Sequence, residues 1–403
     1  MRILWVKAGK LLPVDTGGKI RSYNILRHLS RSHQLTLFSY YGGRKDQAYE
    51  TEIVRQLPGT QTLHTSALDG SDLAQSLDYL RLVFRSAPFA VSKFTHPAAT
   101  RRIESWIAAR EFDVAVCDFL SASLSFPSTL ATPTVLFQHN VETALWQRLA
   151  ASESSFLRRL VYKIEFRKMA RYEKTTLGRF TQVVAVSDHD RQQMLAMAPS
   201  CLVEVVPTGV DTAKYTVAPP SKATPPKIVF LGSMDWEPNI DAVLYFCREI
   251  FPHIRAKVPA AMFQIVGRNP HASVRQLASD AVEVTGTVPS VTEYLREATL
   301  VVVPLRAGGG TRLKIFEAMA TGKAVISTTI GAEGLPVQSG RDLILADHAV
   351  AFAEATILLL TDADLRHRYE EAAAKLVVQY DWSSIAHQFA AILQDACLQA
   401  QAS

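Results

Sequence analysis

The chain has 403 residues, 48% of them hydrophobic, which is enough for two domains with separate cores and too much for one small fold. Cys117, Cys201, Cys247 and Cys397 stand far apart with no CxxC pair and no Cys/His cluster, which excludes a disulfide framework and a structural zinc site and points to the cytosol. The net charge of +5 is unevenly spread, since residues 1–225 hold 28 Lys and Arg against 19 Asp and Glu while the remainder holds 15 against 19.

The first half opens with a strand at residues 3–6, a loop through Gly17 and Gly18, a helix at 23–30 and a second strand at 35–40. Further strands are expected at 114–117, 134–137, 183–186 and 203–206, with helical segments between them, so the sheet reads as mostly parallel and wrapped by helices. After a proline-rich stretch at 218–226 the pattern restarts. Strands are expected at 228–231, 262–266, 282–285, 300–303, 324–327 and 343–345, and helices at 240–254, 291–298, 312–320 and 349–360. The fold class is α/β, with two Rossmann-like domains whose ligands bind beyond the carboxyl ends of the strands. The apolar run 349–360 is interrupted by Glu354, and neither a membrane span nor a cleaved leader is expected.

Gly17 and Gly18 follow Pro13 and Asp15 and precede Lys19 and Arg21, where the first strand feeds the first helix. They form either a tight turn or a place where main-chain amides meet a phosphate or sugar. His139 closes the strand at 134–137, either as a structural histidine or as a group that touches a reacting sugar. Asp188 and Asp190 spell a DxD, but Ser187 precedes them as an N-cap and the pair reads as helix capping, with no metal expected. Between Glu153 and Arg179 lie Arg158, Arg159, Lys163, Arg167, Lys168, Arg171, Lys174 and Arg179 against Glu153, Glu165 and Glu173, on a helical pattern. This is either a solvated helix face or a surface for anionic lipid head groups or a lipid-phosphate acceptor. No aromatic-interleaved basic groove accompanies it, so nucleic acid is not expected.

In the second half, Gly232, Ser233 and Asn239 end the strand at 228–231 and open a helix, where capping accounts for Asn239. Gly267 with Arg268, and Gly286 with Val288, end two further strands at the same edge, where the base and ribose of a nucleotide could rest on main chain. Residues 304–328 carry the strongest signal: an apolar strand breaks into Gly308, Gly309 and Gly310, passes Thr311, and restarts as a helix with Arg312, Lys314 and Glu317. Open amides, the positive end of a helix and two cations make an anion site. It is neither GxxxxGK[ST] nor GxGxxG. Lys314 and Arg312 are expected to face a diphosphate and Glu317 to accept hydrogen bonds from ribose hydroxyls.

Taken together, Gly17 and Gly18, the junction Val206-Pro207-Thr208-Gly209-Val210-Asp211, Val266-Gly267, Thr285-Gly286-Thr287-Val288, and the stretch from Phe316 and Glu317 through Gly322 and Lys323 resemble a retaining glycosyltransferase of family four with a GT-B fold. The resemblance implies an acceptor-binding domain at 1–208, a nucleotide-sugar-binding domain at 209–381, their strand edges facing across a cleft, and a last helix at 382–403 that packs back on the first domain. It implies donor contacts from Gly17, Gly18, Ser233, Gly267, Arg268, Val288, Gly308, Gly309, Gly310, Thr311 and Glu317, acceptor contacts from Lys19 and Arg21, and catalytic roles for Lys314, Arg312 and His139. The implied reaction transfers a sugar from a nucleoside-diphosphate sugar to the hydroxyl of a glycan, lipid-linked or small-molecule acceptor, with retention and with neither cofactor nor metal, in glycolipid or polysaccharide synthesis. The expected location is cytoplasmic, peripheral on the inner face of the membrane.

Three departures accompany the resemblance. Gly309 stands where an acidic residue for the donor sugar is usual, eight positions before Glu317. Ser233, Pro238 and Asn239 stand where an arginine and a lysine usually hold the diphosphate, and Thr208 replaces an asparagine at the junction. A sugar-nucleotide epimerase or hydrolase of the same architecture, or a non-catalytic sugar-nucleotide-binding protein, are the competing readings.

Overall fold

A computed structural model describes residues 1–65, 86–153, 155–217, 225–307 and 312–402 of the chain. Gly308, Gly309, Gly310 and Thr311, and most of the proline-rich stretch, lie outside the described residues. The chain divides into two compact units, Met1–Pro207 with Ser383–Ser403, and Thr208–Trp382.

The first unit is built on a parallel sheet of β1 (Arg2–Ala8), β2 (Gln34–Tyr41), β3 (Gln61–His64), β4 (Val114–Asp118), β5 (Thr134–Phe137), β6 (Gln182–Ala185) and β7 (Val203–Val205). Their spatial order is β3-β2-β1-β4-β5-β6-β7. The central strands β4 and β5 are buried along their whole length, as continuous apolar runs are when helices cover both faces of a parallel sheet. The last helix, Trp382–Ala402, places Ile385, Phe389, Leu393 and Ala396 on one stripe, all fully buried. Phe389 lies 5.3 Å from the Trp5 ring and 5.0 Å from Phe137, so this helix returns to the first unit as expected.

The second unit repeats the plan with β8 (Lys227–Leu231), β9 (Met262–Val266), β10 (Val282–Gly286), β11 (Leu300–Val303), β12 (Val325–Ser327) and β13 (Ile344–Leu345), in the order β10-β9-β8-β11-β12-β13. The helix expected at 240–254 is broken in two, Glu237–Tyr245 and Phe251–Lys257, by a π turn at Phe246–Ile250. Pro252 lacks the amide that an uninterrupted α ladder would use there. The junction motif also has a structural task. Val210 N–H donates to the Tyr380 carbonyl and Trp382 N–H to the Val210 carbonyl, while a Cβ on Gly209 would stand 2.5 Å from the nearest atom of the Trp382 ring. The entry and exit of the second unit are thereby held together.

In each sheet the strand order reverses beside the first strand of the unit, between β1 and β4 and between β8 and β11. Loops leaving the carboxyl ends there diverge to opposite faces and open a crevice, the usual ligand position of such sheets. The helix that begins at Gly17 follows β1 at the first of these points, and the helix that carries Lys314 and Glu317 follows β11 at the second.

Candidate functional site

In the second unit the chain leaves β8 through Gly232 and Ser233. A Cβ on Gly232 would come within 2.7 Å of Asn239 Nδ2 and 3.0 Å of Lys314 Nζ, so the missing side chain is what admits both groups. A Cβ on Gly267, after β9, would overlap the Gly232 carbonyl oxygen, so these two glycines let the β8 and β9 loops touch backbone to backbone. Asn239 is no helix cap. It is 3% exposed, donates Nδ2–H to the Ser233 carbonyl at 2.9 Å and accepts from Lys314 Nζ at 2.9 Å. Arg268 Nε–H donates to Ser233 Oγ at 2.8 Å, and Val288 is half-buried against the core beyond β10.

Lys314 is the second residue of the helix Leu313–Ala320, and its Nζ lies 4.2 Å from the centroid of the Phe230 ring. Burial, and next the charge of Arg312, push its ammonium down to about 7, against the pull of Glu317. Glu317 is half-buried one turn further on, and its Oε1 accepts from Tyr215 Oη at 2.9 Å. Burial pushes this carboxyl up, with the Tyr215 bond opposing. Arg312 does not join them. It is 3% exposed, donates to the Ile330 carbonyl at 3.0 Å and lies 3.9 Å from Glu333, contacts that fasten the 330–333 turn and differ from the diphosphate role expected of it.

In the first unit the helix Gly17–Leu29 begins at the crevice between β1 and β4, and its N-cap residue Thr16 makes no side-chain capping bond. Gly18 lies beside the His139 ring, whose nearest atom is 3.6 Å from where a Cβ would be, an ordinary contact distance. Arg21 and Lys19, expected on an acceptor, are turned to the protein. Arg21 is 2% exposed and donates to His139 Nδ1 at 3.0 Å, and Lys19 binds the Pro13 carbonyl and Asp15.

His139 is held from both sides. A guanidinium can only donate, so Nδ1 is the acceptor and the ring proton sits on Nε2, which donates to Asp118 Oδ1 at 2.7 Å. Burial pushes the imidazole down to about 4 against the influence of Asp118, and the ring is neutral at pH 7. Asp118, 1% exposed at the end of β4, also accepts from Lys7 Nζ and Trp5 Nε1, both at 3.0 Å. Burial would raise its carboxyl, but Lys7 and the His139 and Trp5 bonds outweigh burial and hold it below the usual carboxylate range. Phe119, next in the chain, has φ +77°, uncommon for a bulky side chain, and its ring lies 5.5 Å from His139. A base role for His139 would require one of these bonds to break.

Asp118, Lys7 and Trp5 carry no signal in the sequence, where they read as ordinary strand residues. Lys7 and Asp118 are register partners on β1 and β4, which only the strand pairing shows. The DxD is capping, with Ser187 Oγ accepting from Asp190 N–H at 3.1 Å. Among the described residues no group of three or more His, Cys, Asp or Glu could hold a metal ion, and no helix is long and apolar enough to cross a membrane.

Two parallel-sheet units, each with polar groups gathered where its strand order reverses, define a protein of the GT-B class. The chain belongs to the family-four, group 1 glycosyltransferases: the glycosyltransferase family 4 model matches residues 16–214 and the group 1 glycosyl transferase model residues 225–362. It is 28% identical to the phosphatidyl-myo-inositol mannosyltransferase of Mycolicibacterium smegmatis over 72% of this chain and 73% of that protein. It is 20% identical to an uncharacterized 44.6 kDa protein of the Klebsiella pneumoniae cps region, over 88% and 90% of the two chains. Among solved structures, sucrose-phosphate synthase from Thermosynechococcus elongatus superposes with a TM-score of 0.70 at 15% identity, over 98% of each chain. Anabaena HepE in complex with UDP and glucose gives 0.66 at 16% identity, over 98% of this chain and all of that one.

Proposed function

We propose that the second unit binds a nucleoside-diphosphate sugar at the crevice beside β8 and β11, and that the sugar passes with retention to a hydroxyl of an acceptor held at the first unit. The observation that carries this reading is the Lys314 ammonium, lodged among Asn239, Gly232 and the Phe230 ring one helical turn before Glu317. An ammonium at a helix's first turn suits a diphosphate, and Glu317 suits a ribose diol because Oε1 is fixed by Tyr215 while Oε2 has no hydrogen-bond partner among the described residues. Ser233, Gly267, Arg268 and Val288 line the same edge, and Gly308, Gly309, Gly310 and Thr311 precede the helix in sequence.

As the bond from the sugar C1 to the diphosphate oxygen breaks, charge develops on that oxygen and Lys314 stabilises it, which requires no metal. His139, neutral and fixed, donates no charge and presents its ring edge beside Gly18, while Arg21 and Asp118 act through it as positioning residues. The named relatives support a lipid-linked acceptor, since one acts on phosphatidyl-myo-inositol, and the HepE complex with UDP supports the donor class.

Nucleotide binding separates the ribose and phosphate contributions. Glu317→Gln should weaken a nucleoside diphosphate by about tenfold, as for loss of a hydrogen bond to a charged group, and leave inorganic pyrophosphate unchanged in calorimetric titration. Equal loss for both ligands would remove Glu317 from the ribose.

A further inference from the structure

The helices Glu142–Ser152 and Phe156–Leu177 form a hairpin, packed against each other, with the Trp146 and Tyr162 rings 5.9 Å apart. It begins three residues after His139, at the carboxyl edge of β5. The second helix contains two acids, and both are buried. Glu165, 1% exposed, accepts from the Phe89 amide at 2.7 Å. Glu173, fully buried, accepts from the Gln138 side chain and from the Glu142 and Thr143 amides, where it caps the first helix of the hairpin. Two of the three acids that temper the basic segment in the sequence are therefore absent from its surface, while the third, Glu153, is half-buried in the turn and accepts from Ser155 N–H at 2.9 Å. Arg158, Lys163, Arg167, Arg171 and Lys174 remain exposed there.

Next to the turn, the hairpin exposes large apolar side chains. Phe156 is 76% and Leu157 72% exposed, with Leu160 at 49% one turn on and Leu149 at 37% on the other helix. Large side chains left this far in water, next to a helix whose exposed charges are all cations among the described residues, match the two requirements of interfacial membrane binding. A second copy of the chain is a poor occupant, because two such cationic faces repel each other.

We propose that this hairpin is a bilayer anchor: Phe156, Leu157 and Leu160 enter the acyl boundary of an anionic membrane while Arg158 and Lys163 meet lipid phosphates. The first helix, 11 residues long, spans about 16 Å. An anchored tip would thus hold the His139 edge within about that distance of the bilayer, in reach of the head group of a lipid acceptor. This purpose depends on reading the first unit as the acceptor side; the anchoring itself does not.

The test is partition of the full chain onto phosphatidylcholine vesicles with and without roughly one third phosphatidylglycerol, without donor or acceptor. The wild type should bind the anionic vesicles. Phe156→Ser/Leu157→Ser and Arg158→Glu/Lys163→Glu should each bind about tenfold more weakly or worse, with unchanged melting temperature and unchanged transfer to a water-soluble acceptor. As a probe that preserves the apolar tip, Leu157→Trp should shift its emission to the blue on binding and be quenched by brominated lipid. No wild-type binding, serine variants that bind like wild type, a tryptophan that reports only water, or a dimer that the serine substitutions dissociate would each overturn the anchor. Failure of transfer to lipid acceptors with vesicle binding intact would instead overturn the acceptor reading.

Discussion

Lys314 and His139 are both part-buried nitrogen bases, yet their surroundings assign them opposite charge behaviour. Among the described residues Lys314 Nζ hydrogen-bonds Asn239 alone and lies over the Phe230 ring, so its ammonium, pushed down to about 7 by burial and then the charge of Arg312, is poised to regain a proton if an anion binds there. On the proposed reading the protonated form binds the diphosphate, and it is half lost in the free protein by about pH 7. Nucleoside diphosphate binding should therefore take up close to one proton at about pH 8 and much less at about pH 6, read by titration calorimetry in buffers of different ionisation enthalpy. No uptake at the higher pH would remove Lys314 from the phosphate. His139 is pinned between a donor and a carboxylate and stays neutral. Its ring nitrogens should show an Nε2–H tautomer with no titration between about pH 5.5 and 8 by nitrogen NMR, and a midpoint inside that range would contradict the Arg21–His139–Asp118 arrangement.

At the scale of elements, the strands were legible because runs such as Val114 to Cys117 and Leu300 to Val303 have no other use than a sheet covered on both faces. Side-chain direction was less so. Arg312 and Lys314 are two residues apart, and positions two apart around a helix do not face the same way; one cation turns to the Ile330 carbonyl and the other to the crevice. Glu173 read as one acid among many cations, because its partners, Gln138 and the amides of the neighbouring helix, lie more than thirty residues away in sequence or close to it. The Asp118 network was invisible for the same reason. It depends on β1 lying beside β4, a pairing that periodicity does not specify.

The Glu173 cap makes its own prediction. Burial, and then Glu173, push the Glu142 carboxyl up to about 7 from an unfolded value near 4.5. A raised carboxyl favours folding while protonated, so this contribution is present below about pH 4.5 and is lost as pH rises through about 7. The first unit should lose on the order of 2 kcal/mol between about pH 5 and 8 in denaturant unfolding, and Glu142→Gln should flatten that dependence. An unchanged slope in the variant would show that the proton resides elsewhere in the pair.

At the scale of the whole molecule, one plan occurs twice: a parallel sheet, a reversal of strand order beside the first strand, and polar groups gathered at that point. The first unit fixes a neutral histidine there, and the second holds a lysine and a glutamate at the start of a helix. Membership of the family-four glycosyltransferases assigns the class of reaction, and the division of donor and acceptor between the units is our proposal. The most direct test is release of nucleoside diphosphate from a panel of nucleotide sugars, with and without acceptor, by the wild type and by Lys314→Ala. Acceptor-dependent release that falls by about 10²–10³ in the variant, with unchanged melting temperature, is the predicted result. Release by Lys314→Ala at the wild-type rate would contradict the account.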